Sequence, residues 1–78
     1  MTYIVEKVNH IVYRVKNEIT RNLPTQLSDV YLEFADDVEE PTDWMIQNAV
    51  GLYIMNMTGY TPETFVVDDL IPYGVILD

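Results

Sequence analysis

Apolar residues recur every three or four positions through the first quarter of the chain. At 100° per residue they fall within an arc about 120° wide, and polar residues occupy the opposite arc. The apolar set is Ile4, Val5, Val8, Ile11, Val12, Val15 and Ile19. Adjacent apolar pairs within this set break the strict alternation of a strand, and Pro24 disfavours helical backbone in the residue before it. The spacing therefore predicts an amphipathic helix over residues 2–22, ending near Asn22.

A second apolar pattern covers residues 28–39 and has two interpretations. Ser28 is a suitable helix N-cap, and one face of a helix would carry Leu27, Val30, Tyr31, Phe34 and Val38. The alternation of Val30, Leu32 and Phe34 fits a strand instead. We favour the short helix and keep the strand as its alternative.

The third pattern, over residues 43–58, is apolar on almost every side of a helical axis. Thr42 or Asp43 can cap its beginning, and Gly59 is a suitable C-terminal stop. A helix of this kind is expected to be buried nearly all round. In so small a domain it would lie centrally, with part of its surface facing another subunit.

The remaining segment, residues 60–78, contains two short apolar runs interrupted by Pro72 and Gly74. It predicts an extended arm that either grips a neighbouring molecule or wraps its own helices, and the two alternatives are equally supported. The expected fold is therefore a mainly α, three-helix bundle in a single domain, with α+β as the alternative class. In it, residues 1–59 form a helical body and residues 60–78 form the arm.

Charge is distributed unevenly along the chain. Residues 1–22 contain four basic and two acidic residues, whereas residues 23–78 contain eleven acidic residues and no Lys or Arg. This separation favours binding to an oppositely charged surface, including one on another copy of the chain. The candidate interaction residues are Lys7, Arg14, Lys16, Arg21, Glu33, Asp36, Asp37, Glu39, Glu40, Met45, Met55, Phe65, Val67, Ile71, Val75 and Leu77.

The sequence offers no catalytic, cofactor-binding or metal-ligating set. There is no cysteine, and the single histidine, His10, falls among polar positions. The acidic run 36–43 fails the calcium-loop template, because Pro41 stands where that loop needs glycine. We therefore expect neither an enzyme nor a cofactor.

The same composition argues against direct nucleic-acid or membrane binding. Strong acidity disfavours contact with phosphate, and no apolar run reaches the ~18 residues of a membrane span. The N-terminus lacks the uninterrupted apolar run of a signal peptide.

Residues 32–59 contain a short apolar segment, an acidic turn, and a helix with Ala49 near its middle. The helix closes with Tyr53-Ile54 and Thr58-Gly59. In this pattern the segment resembles small head–tail connector proteins of tailed phages. The resemblance implies a non-enzymatic ring or adaptor subunit built as a small helical bundle, with other virion proteins as partners. Its expected location is the virion or the host cytoplasm.

Two hypotheses for function follow. The first is a structural assembly subunit, most specifically a phage connector that forms a homo-oligomeric ring, in which the basic and acidic segments of neighbouring copies meet. The second is a small acidic inhibitor whose carboxylates mimic the phosphates of nucleic acid and so block a host or CRISPR-type nuclease.

Overall fold

The computed structural model describes residues 1–72 and shows a three-stranded antiparallel sheet with two helices. In chain order the elements are β1 (Thr2–Tyr13), α1 (Glu18–Arg21), β2 (Leu27–Glu33), α2 (Asp43–Thr58) and β3 (Pro62–Pro72). The strand order is β2-β1-β3, so the N-terminal strand is central. The predicted three-helix bundle is wrong, and the fold belongs to the α+β class that was kept as the alternative.

The predicted helix over residues 2–22 is a strand followed by one helical turn. Five of the β1 side chains point into the core: Tyr3, Val5, Val8, Ile11 and Tyr13. Two irregularities separate successive core positions by three residues instead of two. One lies between Val5 and Val8, and the other contains His10, whose φ is 56°. Spacings of three are also typical of a helix, which is why the pattern indicated one.

The irregularity between Val5 and Val8 affects all three strands, because the pairing skips one residue in each strand at the same height in the sheet. Val5 pairs with Val30 and Leu70, and Lys7 pairs with Ser28 and Asp68. The intervening residues, one from each strand, are Glu6, Asp29 and Asp69. Both aspartates have left-handed backbone, with φ of 54° and 52°. Aspartate tolerates this conformation better than most residues because its short side chain makes local hydrogen bonds.

The helix predicted over residues 28–39 is also wrong, and its strand alternative is observed as β2. Val30 and Leu32 alternate into the core in the way a half-buried strand requires. The chain then leaves the sheet, and the ring of Phe34 meets that of Tyr3 edge-on at 5.6 Å between centroids. The acidic segment that follows is a loop over the beginning of β1.

The helix predicted over residues 43–58 is confirmed as α2, with the same bounds. The hydroxyl of Thr42 accepts a hydrogen bond from the backbone N–H of Met45, and Gly59 ends the helix with φ of 80°. The expected central position is wrong, because Val50 and Ile54 are the fully buried positions of α2 within residues 1–72, and burial of its remaining surface by another subunit stays a prediction. The helix packs by one face across β2 and β3, and its other face remains exposed.

The predicted extended arm is extended over residues 62–72, where it forms β3 and pairs with β1 of its own chain. Of the two alternatives, packing on its own chain is therefore observed for this part, although its partner is a strand and not a helix. The candidate interaction residues Val75 and Leu77 lie outside the described residues.

Candidate interaction surfaces

Positive charge collects where β1 ends. The backbone N–H of Arg14 donates to the carbonyl oxygen of Thr61 at 3.0 Å, and the ammonium of Lys16 lies 3.2 Å from a carboxylate oxygen of Glu63. Arg21 closes the short helix α1 nearby. We call this the basic end, defined by the three basic residues just named and by their acidic neighbours Glu18 and Glu63. Its formal charge is +1, from three basic and two acidic residues.

The two arginines of the basic end, Arg14 and Arg21, form no ion pair within residues 1–72, so their guanidinium groups can bind another molecule. A guanidinium is ionised at every ordinary pH and can bind a carboxylate through two parallel hydrogen bonds. The basic end therefore presents two donors suited to carboxylates on another molecule.

Negative charge collects at the opposite end of β1, where the 34–42 loop crosses its beginning. The hydroxyl of Tyr3 donates to the carbonyl oxygen of Glu39 at 3.5 Å and holds the loop against the strand. We call this region the acidic end. It comprises six acidic residues and no Lys or Arg: Glu33, Asp36, Asp37, Glu39, Glu40 and Asp43.

The ammonium group of Met1 neutralises part of the negative charge of the acidic end. Its nitrogen lies 3.2 Å from Glu33 and 3.3 Å from Asp36. The carboxylate of Glu33 accepts hydrogen bonds from the Thr2 hydroxyl and from this ammonium. Both lower the pKa of Glu33 below its usual value, and the bond from Thr2 contributes more. Desolvation lowers the pKa of the ammonium, but the two carboxylates outweigh it and raise that pKa overall. Glu33 is therefore ionised at neutral pH.

The charged ends are far apart because β1 separates them. A 12-residue strand spans roughly 36–40 Å at about 3.3 Å per residue, and the molecule is 45 Å long by 21 and 17 Å across. The charge asymmetry of the sequence thus becomes a charge separation along the long axis. Lys7 is the fourth basic residue among the predicted interaction residues. It lies in the middle of the sheet beside Ser28 and Asp68 and belongs to neither end.

The predicted apolar interaction residues do not form one surface. Phe65 and Val67 lie on β3 and pack against the core. Ile71, also on β3, pairs with Ile4 of β1. On α2, Met45 is half-buried, whereas Met55 is 37% exposed.

The most exposed apolar side chains of α2 were not among the predicted interaction residues. Trp44 is 75% exposed and Leu52 is 55% exposed. Beside them lies a groove of about 290 Å³, whose walls are built from Leu52, Met55 and Phe65. No pattern in the sequence marks this face, because apolar residues surround the helix axis and periodicity could not show which side meets the sheet.

The acidic side chains of residues 1–72 do not converge on a metal site. No three or more His, Asp or Glu side chains in that range are grouped in a way that could hold a metal ion. In particular, the level of the sheet that carries Glu6, Asp29 and Asp69 is not such a group. None of the helices in the same range has both the length and the apolar character needed to cross a membrane.

Comparison with family models, with curated proteins and with solved structures finds no match to this chain.

Proposed function

We propose that this chain is a non-enzymatic assembly subunit whose copies associate end to end. The observation that carries the proposal is the separation of the basic end from the acidic end across a 45 Å body. When one copy follows another along this axis, the free guanidinium groups of Arg14 and Arg21 face the carboxylates of the next acidic loop. Complementary charges of this kind steer orientation and accelerate encounter more than they add affinity.

Contact between different ends is heterologous, so each copy keeps one free surface for the next. Such contacts close into a ring when the rotation between neighbours permits it, and otherwise continue as a filament. This geometry suits a structural component that is used in many copies. It would also let an acidic or basic partner continue the series in place of another copy.

Among assembly subunits, a head–tail connector of a tailed phage is the class that we propose. Support comes from the resemblance over residues 32–59, which covers the end of β2, the acidic loop and α2. The acidic part of that segment forms the acidic end, and its helix presents exposed apolar residues. The other virion proteins are the partners in this proposal, and the virion or the host cytoplasm is the location.

Sedimentation velocity at 50 mM and 1 M NaCl tests the end-to-end association. The Debye length falls from about 14 Å to about 3 Å over this range, so an association between charged ends should weaken strongly. We expect oligomers at tens of micromolar in low salt and their loss in high salt. A chain that stays monomeric at both salt concentrations contradicts the proposal.

Matched charge reversals locate the contact. Arg21→Glu changes the basic end by two charge units, and Lys7→Glu makes the same change at mid-sheet. We expect the first variant to weaken the low-salt association at least tenfold and the second to leave it within about threefold. Equal effects of the two variants would mean that net charge, and not the basic end, governs association.

One observation favours the alternative of an acidic inhibitor that mimics nucleic acid. Glu6, Asp29 and Asp69 stand at one level on adjacent strands, which lie about 4.8 Å apart. An inhibitor should act as a monomer and compete with duplex DNA for a nuclease. Replacing these three acids by their amides should abolish that competition, whereas the end-to-end association should survive the change.

A further inference from the structure

The outward face of α2 carries a compact apolar stripe. Trp44, Leu52 and Met55 are 75%, 55% and 37% exposed. Together with the exposed Asn48, they fall within an arc of about 80° at 100° per residue. The fully buried Val50 and Ile54 lie on the other side of the helix. Trp44 and Leu52 are therefore directed away from the centre of the sheet, whereas Met55 lies at the edge of the stripe and contacts Thr61 just before β3.

The stripe is also free of charge. Residues 44–62 contain no Asp, Glu, Lys, Arg or His, although the chain as a whole carries a formal charge of −9. Asp43 precedes the stripe but lines hollows on the sheet side of α2. Two copies of so acidic a chain repel one another over most surfaces. They can approach here without bringing carboxylates together, which makes a second copy the best-suited occupant of this face.

The groove beside the stripe has a size that suits the side chain of Trp44, which belongs to the stripe. It lies between α2 and the beginning of β3 and is floored by Gly51, which has no side chain to fill it. A Cβ atom at that position would lie 3.9 Å from the ring of Phe65. The volume of about 290 Å³ can admit an aromatic side chain from outside. Trp44 is the large exposed aromatic residue of this face.

The spacing between Trp44 and the groove wall at Leu52 along α2 fits a two-fold axis. Trp44 and Leu52 are each four residues from Asn48, so an axis through Asn48 places residue 44 of one copy level with residue 52 of the other. At 1.5 Å per residue this offset is about 6 Å on either side of the axis. The indole of each copy then reaches the groove of its partner, and both contacts form at once.

We propose that two copies of this chain pair through α2, antiparallel about a two-fold axis at Asn48, with each Trp44 seated in the partner's groove. The two Asn48 amides meet at the axis and hydrogen-bond to each other, and a central polar pair of this kind fixes the register of two helices. The antiparallel arrangement also sets the helix dipoles in their favourable orientation. This isologous contact is separate from the association of the charged ends.

Fluorescence at high salt tests the pairing apart from the charged ends. Trp44 is the single tryptophan of the chain, so its emission reports on this face alone. In 1 M NaCl we expect the emission to shift to shorter wavelength as the protein concentration rises from 1 to 500 μM, with a dimer in sedimentation over the same range. An emission maximum that stays constant while the protein remains monomeric overturns the proposal.

Substitutions on the two sides of α2 provide the control. Leu52→Ala should weaken the dimer at least tenfold. Met57→Ala removes a side chain that is 47% exposed on the opposite side of the helix from Asn48, and should change the dimer less than threefold. Equal weakening by both variants would contradict the assigned face.

Cross-linking tests the axis itself, because the chain has no cysteine of its own. Asn48→Cys places two thiols at the two-fold axis and should give a disulfide-linked dimer on mild oxidation. Asn56→Cys, exposed two turns further along α2, should remain mostly monomeric. Cross-linking of Asn56→Cys at an equal or greater rate would exclude the proposed axis. Because these measurements are made in high salt, they can succeed or fail independently of the end-to-end association.

Discussion

The hydroxyl of Tyr13 donates a 2.7 Å hydrogen bond to the carbonyl oxygen of Pro24, across eleven positions of the chain. It joins the last residue of β1 to the loop that precedes β2. The ring of Tyr13 belongs to the core and is 4% exposed. Burial raises the pKa of its hydroxyl above the usual value, because the ionised form would lose solvation.

Tyr13→Phe should therefore lower the free energy of unfolding by about 1–2 kcal/mol, since the Pro24 carbonyl loses its donor in a partly buried place. Urea denaturation at pH 7 measures the change. Tyr53→Phe removes a hydroxyl from a more exposed ring of α2 and is the matched control, with an expected change below about 0.5 kcal/mol. Similar losses in the two variants would contradict a specific role for the Tyr13 hydrogen bond.

The same hydroxyl predicts a pH dependence. The pKa of Tyr13 is higher in the folded chain than in the unfolded chain, so its contribution to stability is complete below about pH 10. That contribution is lost as the pH rises from there through the folded-state pKa. We expect the stability difference between the wild-type chain and Tyr13→Phe to shrink between pH 9.5 and 11.5. A difference that grows over this range would show that the sign is wrong.

The strand β1 shows why the fold class was mispredicted. Core positions Val5, Val8 and Ile11 are three apart, which is a helical spacing, because left-handed residues interrupt the strand pairing on either side of Val8. Two of these residues, Asp29 and Asp69, lie on other strands, 23 and 63 positions from Glu6. Local periodicity carries no information about them, so the irregularity could not be predicted from residues 2–13 alone.

The helix α2 was predicted correctly for the opposite reason. Its beginning and end depend on the residues beside them, with the Thr42 hydroxyl capping the first turn and Gly59 adopting φ of 80° after the last. The sequence did not predict which face of α2 is exposed, because the packing side of a helix depends on distant strands. The charge asymmetry was visible in the sequence, but its extension along 45 Å required β1 to be a strand.

The left-handed residue Asp69 gives a prediction about the interrupted level of the sheet. Asp69→Val should cost more than about 1 kcal/mol of unfolding free energy, because a β-branched side chain is strained at φ of 52°. Asp69→Gly should stay within about 1 kcal/mol of the wild-type value, since glycine adopts this backbone freely. Thr64→Val is the control on the same strand, and thermal unfolding measures all three. A small effect of Asp69→Val would mean that its backbone is not left-handed.

The buried residue Ile54 tests how much the sheet depends on α2. Ile54→Val should lower the unfolding free energy by about 0.5–1.5 kcal/mol and Ile54→Ala by about 2–5 kcal/mol, because each leaves a larger cavity in the core. Asn56→Ala, an exposed position on the same helix, should change it by less than about 0.5 kcal/mol. Urea denaturation gives the three values. Near-equal losses for the two Ile54 variants would contradict close packing at this position.

Gly51, in the middle of α2, and Gly59, just after its last residue, should affect stability in opposite directions when each is replaced by alanine. Gly51→Ala should raise the unfolding free energy by about 0.5–1 kcal/mol, because alanine favours helix and glycine does not. The added methyl group would lie 3.9 Å from Phe65, an ordinary contact distance. Gly59→Ala should lower the unfolding free energy by about 1 kcal/mol, since its φ of 80° is strained for any residue with a Cβ atom. Thermal unfolding checks both signs.

Gly51→Ala also separates the stability of the chain from its pairing. The methyl group that strengthens the helix enters the floor of the groove in which we place the partner's Trp44. We therefore expect a more stable monomer that forms a weaker dimer in 1 M NaCl, by roughly threefold to tenfold, because an overpacked pocket typically costs about 1 kcal/mol or more. Gly59→Ala lies outside the groove and should weaken the fold without a comparable loss of pairing among the folded molecules. A Gly51→Ala dimer as strong as that of the wild-type chain would indicate that the groove stays empty, even if the pairing of α2 itself persists.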